Sequence, residues 1–142
     1  MNDKYFLDTN IIVYSFDSNA SDKQHVARRH ISNALTGHGC ISYQVVQEFL
    51  SVATRKFDTP LSWQDCKLYL NDVLTPLCEI FPSIEFYSQA LQIKEQWQYS
   101  LYDSLIVTAA LQSNCTILYS EDMQHGQTIN QLTITNPFLD PS

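Results

Sequence analysis

The sequence predicts an α/β protein of three layers, with helices on either side of a central, mostly parallel sheet. Short apolar runs alternate along the chain with longer stretches of helical periodicity, the pattern of successive β–α–β units. No repeat, low-complexity segment or long linker interrupts that alternation, so one domain over residues 1–142 is expected. A third observation concerns polar residues. Asp8, Thr9 and Asn10 break the apolar run YFLDTNIIVYSF, at a point where an ionised carboxylate is costly to bury without a compensating charge or donor.

Lys4 to Tyr14 reads as a strand running into a turn or short helix. Ser21-Asp22-Lys23-Gln24 has the form of a capping box, and the helix behind it carries Val26, Ala27, Ile31, Ala34 and Leu35 on one side. Gly37-His38-Gly39 stops that helix. Cys40-Ile41 is a very short strand, and Ser42 caps a helix reaching about Lys56. Leu61-Ser62 opens a helix rich in Leu and Tyr, which Pro76 terminates. Its Trp63, Cys66, Leu70, Val73 and Leu74, with Tyr69 beside them, suit either core packing or a surface shared between two copies. Cys78 to Phe81 is a strand closed by Pro82, and Ser83 caps a helix ending near Tyr99. Ser100 caps the helix Leu101 to Ser113. Asn114 to Tyr119 and Leu132 to Thr135 supply the last strands.

Composition narrows the class. With 44% hydrophobic and 16% charged residues, the chain is globular rather than disordered. No apolar run approaches the ~20 residues of a membrane span, and no basic segment leads into an apolar secretion signal. A cytoplasmic protein is expected. Cys40, Cys66, Cys78 and Cys115 show no CxxC pair and no zinc-like spacing, so they read as reduced thiols packed as small hydrophobes. A net charge of −7 argues against a surface that coats nucleic acid generically. It leaves room for a carboxylate cluster that binds cations.

Four acids fit such a cluster. Asp8 closes the first strand, and Glu48 sits among Val45, Val46, Phe49 and Leu50 in the helix after Cys40-Ile41. Asp103 lies in the first turn of the helix capped by Ser100, and Asp122 follows the strand ending at Tyr119. In a parallel α/β sheet all these positions fall on the carboxyl edge, where such folds place their ligands. Like charges there raise one another's pKa, and hard divalent cations such as Mg²⁺ or Mn²⁺ relieve the conflict with oxygen ligands. Each acid also has a local explanation. Asp8 can cap a turn, Asp103 can close a Ser-x-x-Asp box, Glu48 can be a solvated helical residue and Asp122 a loop residue.

Taken together, Asp8-Thr9-Asn10 after a first strand, an isolated Glu48, Asp103 opening a late helix and Ser120-x-Asp122 after the next strand resemble a PIN domain. The runs Tyr102 to Ala110 and Leu118 to Gly126 resemble, more narrowly, the VapC-like toxins. The resemblance covers the chain in order and length. It implies a metal-dependent ribonuclease, paired with an antitoxin protein and homodimeric. It assigns the acidic catalytic and metal positions to Asp8, Glu48, Asp103 and Asp122, with Asn10 and Ser120 in support and Mg²⁺, or Mn²⁺ in its place, as cofactor. Some relatives carry a further acid where this chain has Gln124. Arg55, two helical turns beyond Glu48, is a candidate contact for an RNA phosphate.

Other classes compete. A phospho-signalling receiver domain also places acids at strand ends. It needs an acid pair at its first strand and a lysine after its last, whereas Asp3 lies far from Asp8 along an extended chain and Lys94 is the last lysine. A catalytically silent interaction domain that kept the fold is the remaining alternative.

Overall fold

A computed structural model describes residues 3–139. The polar start Met1-Asn2 and the extreme carboxyl end of the domain expected over 1–142 lie outside the described residues. The strands are β1 (Tyr5–Leu7), β2 (Gly39–Ser42), β3 (Cys78–Ile80), β4 (Ile117–Tyr119), β5 (Thr128–Ile129) and β6 (Leu132–Thr135), in sheet order β3-β2-β1-β4-β6-β5. Every neighbouring pair is parallel except β5–β6. The helices are α1 (Thr9–Tyr14), α2 (Ser21–Asn33), α3 (Tyr43–Arg55), α4 (Trp63–Tyr69), α5 (Thr75–Leu77), α6 (Ile84–Trp97) and α7 (Leu101–Gln112), and they flank the sheet as an α/β/α fold. β1 continues to β2 on one side and pairs with β4 on the other, with Leu7 opposite Tyr119. The chain order therefore reverses between β1 and β4, and a crevice opens there beyond the strand ends.

The inner strands β1 and β2 are buried at every residue, so both of their faces are covered. Phe6, Leu7, Ile41, Leu118 and Ile134 are fully buried in the sheet. Ser104 to Ala110 of α7 are all buried, so this helix has no solvent face over that stretch and runs through the core. Its polar members satisfy themselves within the helix: the Ser104 hydroxyl donates to Ser100 O at 2.8 Å and that of Thr108 to Ser104 O at 2.7 Å. Between α1, α3 and α4 the rings of Phe16, Phe49, Phe57 and Tyr69 form one aromatic cluster, with centroids 5.0 Å apart for Phe16 and Tyr69.

Several local expectations need correction. Ser21 is the first helical residue of α2 rather than its cap, and no side chain caps that terminus. Gln24 reaches instead to Ser15 O at 3.3 Å, so the box is never closed. After α2 a wide turn over Ala34–His38 carries the helix further, ending at Gly37 with φ +101. Gly39 already belongs to β2, and a Cβ there would lie 2.6 Å from the Tyr5 ring. Pro76 does not end its helix. A wide turn over Leu70–Leu74 comes first, which accommodates a proline that lacks an N–H and whose ring would crowd an ordinary α-turn. Phe81 lies outside β3 and is exposed, and β5 has no counterpart among the expected strands.

Candidate active site

The carboxyl end of β1 meets that of β4 through the backbone. The Asp8 N–H donates to Tyr119 O at 3.0 Å, and the Ser120 N–H to Thr135 O at 3.1 Å. Asp8 is therefore held as the residue between β1 and α1, for which it is also the N-cap. One carboxylate oxygen accepts from the Thr9 N–H at 2.7 Å and the other from the Ser120 hydroxyl at 2.8 Å. Only 8% of Asp8 is exposed. Burial drives its pKa up to about 6, the bonds from Ser120 and Thr9 oppose the rise, and the charges of Glu48 and Asp103 add to it.

The other acids are positioned from separate elements. Glu48, on α3, accepts from the Thr9 hydroxyl at one oxygen and from Gln44 Nε2 at the other, the latter at 3.1 Å. Ser100 caps α7 by accepting from the Asp103 N–H at 3.1 Å, which fixes Asp103 in the first turn. The Asp103 carboxyl is also raised, by burial first and then by the charges of Asp122 and Glu48, against the Ser100 hydroxyl. Asp122 accepts from Asn10 Nδ2 at 3.1 Å, while Asn10 Oδ1 accepts from the Glu121 N–H at 3.4 Å. Asp8, Glu48, Asp103 and Asp122 thus share one electrostatic neighbourhood, and Asn10 and Ser120 join the β1 end to the segment after β4.

Arg55 stands apart. It ends α3, and its guanidinium turns back onto its own helix, with Nη2 donating to Ser51 Oγ at 2.7 Å. Among the described residues no hydrogen bond or ion pair joins it to the four acids. The sequence alone gives neither Thr9 nor Gln44 a part in orienting Glu48. Gln44 stands four residues before Glu48, a spacing that brings helical side chains together and was a signal open to use.

The donor set suits a hard divalent cation. All four side chains offer carboxylate oxygens, and the ion pairs among the described residues, Lys4 with Glu79 at 2.6 Å and Lys23 with Glu121, involve none of them. Among the described residues no three His, Cys, Asp or Glu side chains stand close enough together to hold a metal ion. Thr9, Gln44 and Asn10 instead occupy oxygens of Glu48 and Asp122. The chemistry of these donors fits Mg²⁺ or Mn²⁺, while their spacing among the described residues forms no ready site for either.

Known structures share this architecture. A toxin–antitoxin complex from Klebsiella pneumoniae superposes with a TM-score of 0.68 at 14% identity, covering 94% of this chain and 98% of that one. VapBC2 from Rickettsia felis, bound to a DNA fragment from its promoter, gives 0.62 at 18% identity, covering 92% and 96%. Mycobacterium tuberculosis VapC20, a sarcin–ricin loop cleaving toxin, gives 0.57 at 15% identity, covering 84% and 90%. At such identities these are likenesses of fold. Comparison with curated protein sequences gives no match. The PIN domain profile, however, matches the sequence itself over residues 5–128, a span that holds all four acids, and the chain therefore belongs to the PIN domain family.

Proposed function

We propose that this chain is a divalent-metal-dependent endoribonuclease that hydrolyses RNA phosphodiester bonds and is the toxin of a toxin–antitoxin pair. The observation that carries this reading is the convergence of Asp8, Glu48, Asp103 and Asp122 at one sheet edge with no side-chain cation paired to them among the described residues. Family membership supports it, since PIN-domain nucleases generally use divalent metal ions. The structural neighbours, a toxin–antitoxin complex, VapBC2 and a sarcin–ricin loop cleaving toxin, support the substrate class and an antitoxin protein as partner.

Mg²⁺, or Mn²⁺ in its place, held by the four carboxylates would activate water and neutralise charge on the phosphate oxygens. The chain's own part is positioning. Ser120 and the Thr9 N–H fix the Asp8 carboxylate from both sides, Thr9 and Gln44 orient Glu48, and Asn10 orients Asp122. Two of the histidines are engaged elsewhere in the fold. His30 packs against the rings of Tyr5 and Tyr119, and His125 Nδ1 accepts from the Asn136 N–H. The decisive experiment assays purified, partner-free protein on structured and unstructured RNAs with and without EDTA. Cleavage that EDTA abolishes and Mg²⁺ restores is expected; cleavage indifferent to EDTA would overturn the metal assignment.

The homodimer belongs to the same proposal. On α4 Cys66 is buried, while Trp63 and Leu68 are exposed; on α6 Ile84 is 87% and Leu91 57% exposed. The exposed Trp63 and Leu68 lie on α4, the helix whose residues suit a shared surface, and are apolar area that a second copy would cover. Light scattering at micromolar concentration should give twice the chain mass, and Leu68→Asp should reduce it to the monomer.

A further inference from the structure

A second recess lies against the acid cluster, and nothing in the cleavage chemistry uses it. It is a cavity of about 260 Å³ bounded by the start of α3, the segment before α6 and the first turn of α7. Ser42, Tyr43, Gln44, Gln47, Tyr87 and Tyr102 line it. Its wall is shared with the site: Gln44 Nε2 donates both to Glu48 Oε2 and, at 3.3 Å, to the backbone oxygen of Tyr102, the residue before Asp103. We propose that this cavity is a nucleobase subsite, which takes one unstacked base of the RNA beside the phosphate being cut.

Three observations converge on that ligand. The volume falls below the ~300–1,000 Å³ of pockets that enclose drug-sized ligands, and it suits a single planar ring system. The Tyr43, Tyr87 and Tyr102 side chains are all exposed and provide stacking faces for a base extruded from a single strand. Polar groups for its edge are also present. Gln44 keeps its Oε1 as an acceptor, and Gln47 lies exposed at the cavity. Ser42 is the most telling. It is the N-cap of α3, a position where a serine hydroxyl ordinarily accepts from the first turn, yet it makes no such bond. Its Oγ is buried without a hydrogen-bond partner, and an unsatisfied buried hydroxyl costs stability until something supplies one. The weak basic character of the chain gives the same answer from another side. With 8 Lys and Arg to grip phosphates, contacts to bases would add to affinity and supply sequence preference.

The subsite rests on the ribonuclease reading for its ligand, and the test separates the two. Oligoribonucleotides carrying an abasic nucleotide at each position around the cut are compared for kcat/KM. One flanking position should lose roughly 5- to 150-fold, the usual worth of a stacked base. Gln47→Ala and Tyr87→Leu should lose rate on intact RNA and become indifferent to the abasic nucleotide at that position. If RNA is cleaved but every abasic substitution costs less than twofold, the subsite is refuted while the ribonuclease reading stands. Independently, AMP, GMP, CMP and UMP are titrated at millimolar concentration into the wild-type protein, with the NMR resonances of Ser42, Tyr87 and Tyr102 followed. Shifts there, even in a protein that cleaves no RNA, support the subsite. No shift with any of the four, or shifts that follow protein dilution instead of nucleotide, overturns it.

Discussion

Glu121 and Asp122 are neighbours in the chain, yet their carboxylates sit in opposite surroundings. Glu121 accepts from Lys23 Nζ and, at 2.7 Å, from the Tyr14 hydroxyl. Burial works to raise its pKa, but the bonds from Lys23 and Tyr14 outweigh it and hold the carboxyl below its usual range. Lys23 also lies over the Tyr14 ring, 4.7 Å from its centroid. One residue later Asp122 faces Asn10, a neutral amide, and adds its charge to the burden on Asp103. A carboxylate that serves the fold comes with its own counter-ion. The four acids at the crevice have none among the described residues, and they bear on one another instead: Glu48 and Asp103 act on Asp8, and Asp122 and Glu48 on Asp103.

The largest expected effect is on activity. Asp8→Asn and Asp103→Asn should each lower RNA cleavage by on the order of 10²–10³-fold with an unchanged circular dichroism spectrum. Glu121→Gln should leave cleavage within a few fold and instead lower stability in urea, because it breaks the contact with Lys23. Equal losses of activity from both kinds of substitution would erase the distinction drawn between them.

Next comes a pH signature in metal-free protein. The Asp8 carboxyl titrates near 6 in the folded chain against 3.8 ordinarily, so between those values the folded state holds a proton that the unfolded state has released. Stability from this group is therefore lost as pH rises through that window, by about 3 kcal/mol above pH 6. In urea denaturation the advantage of Asp8→Asn over wild type should grow by that amount from pH 4 to pH 6 and then level off. His30, pushed down to about 4 by burial foremost, contributes the opposite slope, and it cancels in the comparison because both proteins carry it.

Metal should act on one acid region and spare the other. Mg²⁺ or Mn²⁺ at 100 times its Kd should stabilise the wild type by about 2.7 kcal/mol. Glu121→Gln should keep that increment and Asp8→Asn should lose most of it, read as melting shifts. The smallest effect concerns Arg55. In an Asp8→Asn background, Arg55→Ala should weaken RNA binding about two- to fivefold and flatten the salt slope by roughly one. Unchanged affinity and slope would remove Arg55 from the RNA path.

What could be read without coordinates divides along physical lines. The sheet was legible because three- and four-residue apolar runs bounded by caps and prolines have little else to become, and Ser83 and Ser100 cap as expected, whereas Ser42 holds the cap position without the side-chain bond. The acids at its edge followed from the same strands. Local hydrogen-bond choices were not legible: whether Gln24 returns to its own helix or crosses to Ser15 depends on a neighbour that only the folded chain provides. The same holds for β5, two residues long and defined solely by pairing with β6 through a turn at Asn130, where φ is +54. Long-range pairings such as Thr9 with Glu48 carry no mark in either residue's surroundings in the sequence.

The bonds from Ser120 to Asp8 and from Asn10 to Asp122 each join residues 112 positions apart. A ribosome adding roughly 5–20 residues per second needs about 6–22 s to cover that distance. Throughout that interval the nascent chain carries Asp8 without the serine that orients it or the last of the acids. The crevice is therefore complete only once the chain through Asp122 has emerged, because its two sides are tied by Ser120 on Asp8 and Asn10 on Asp122.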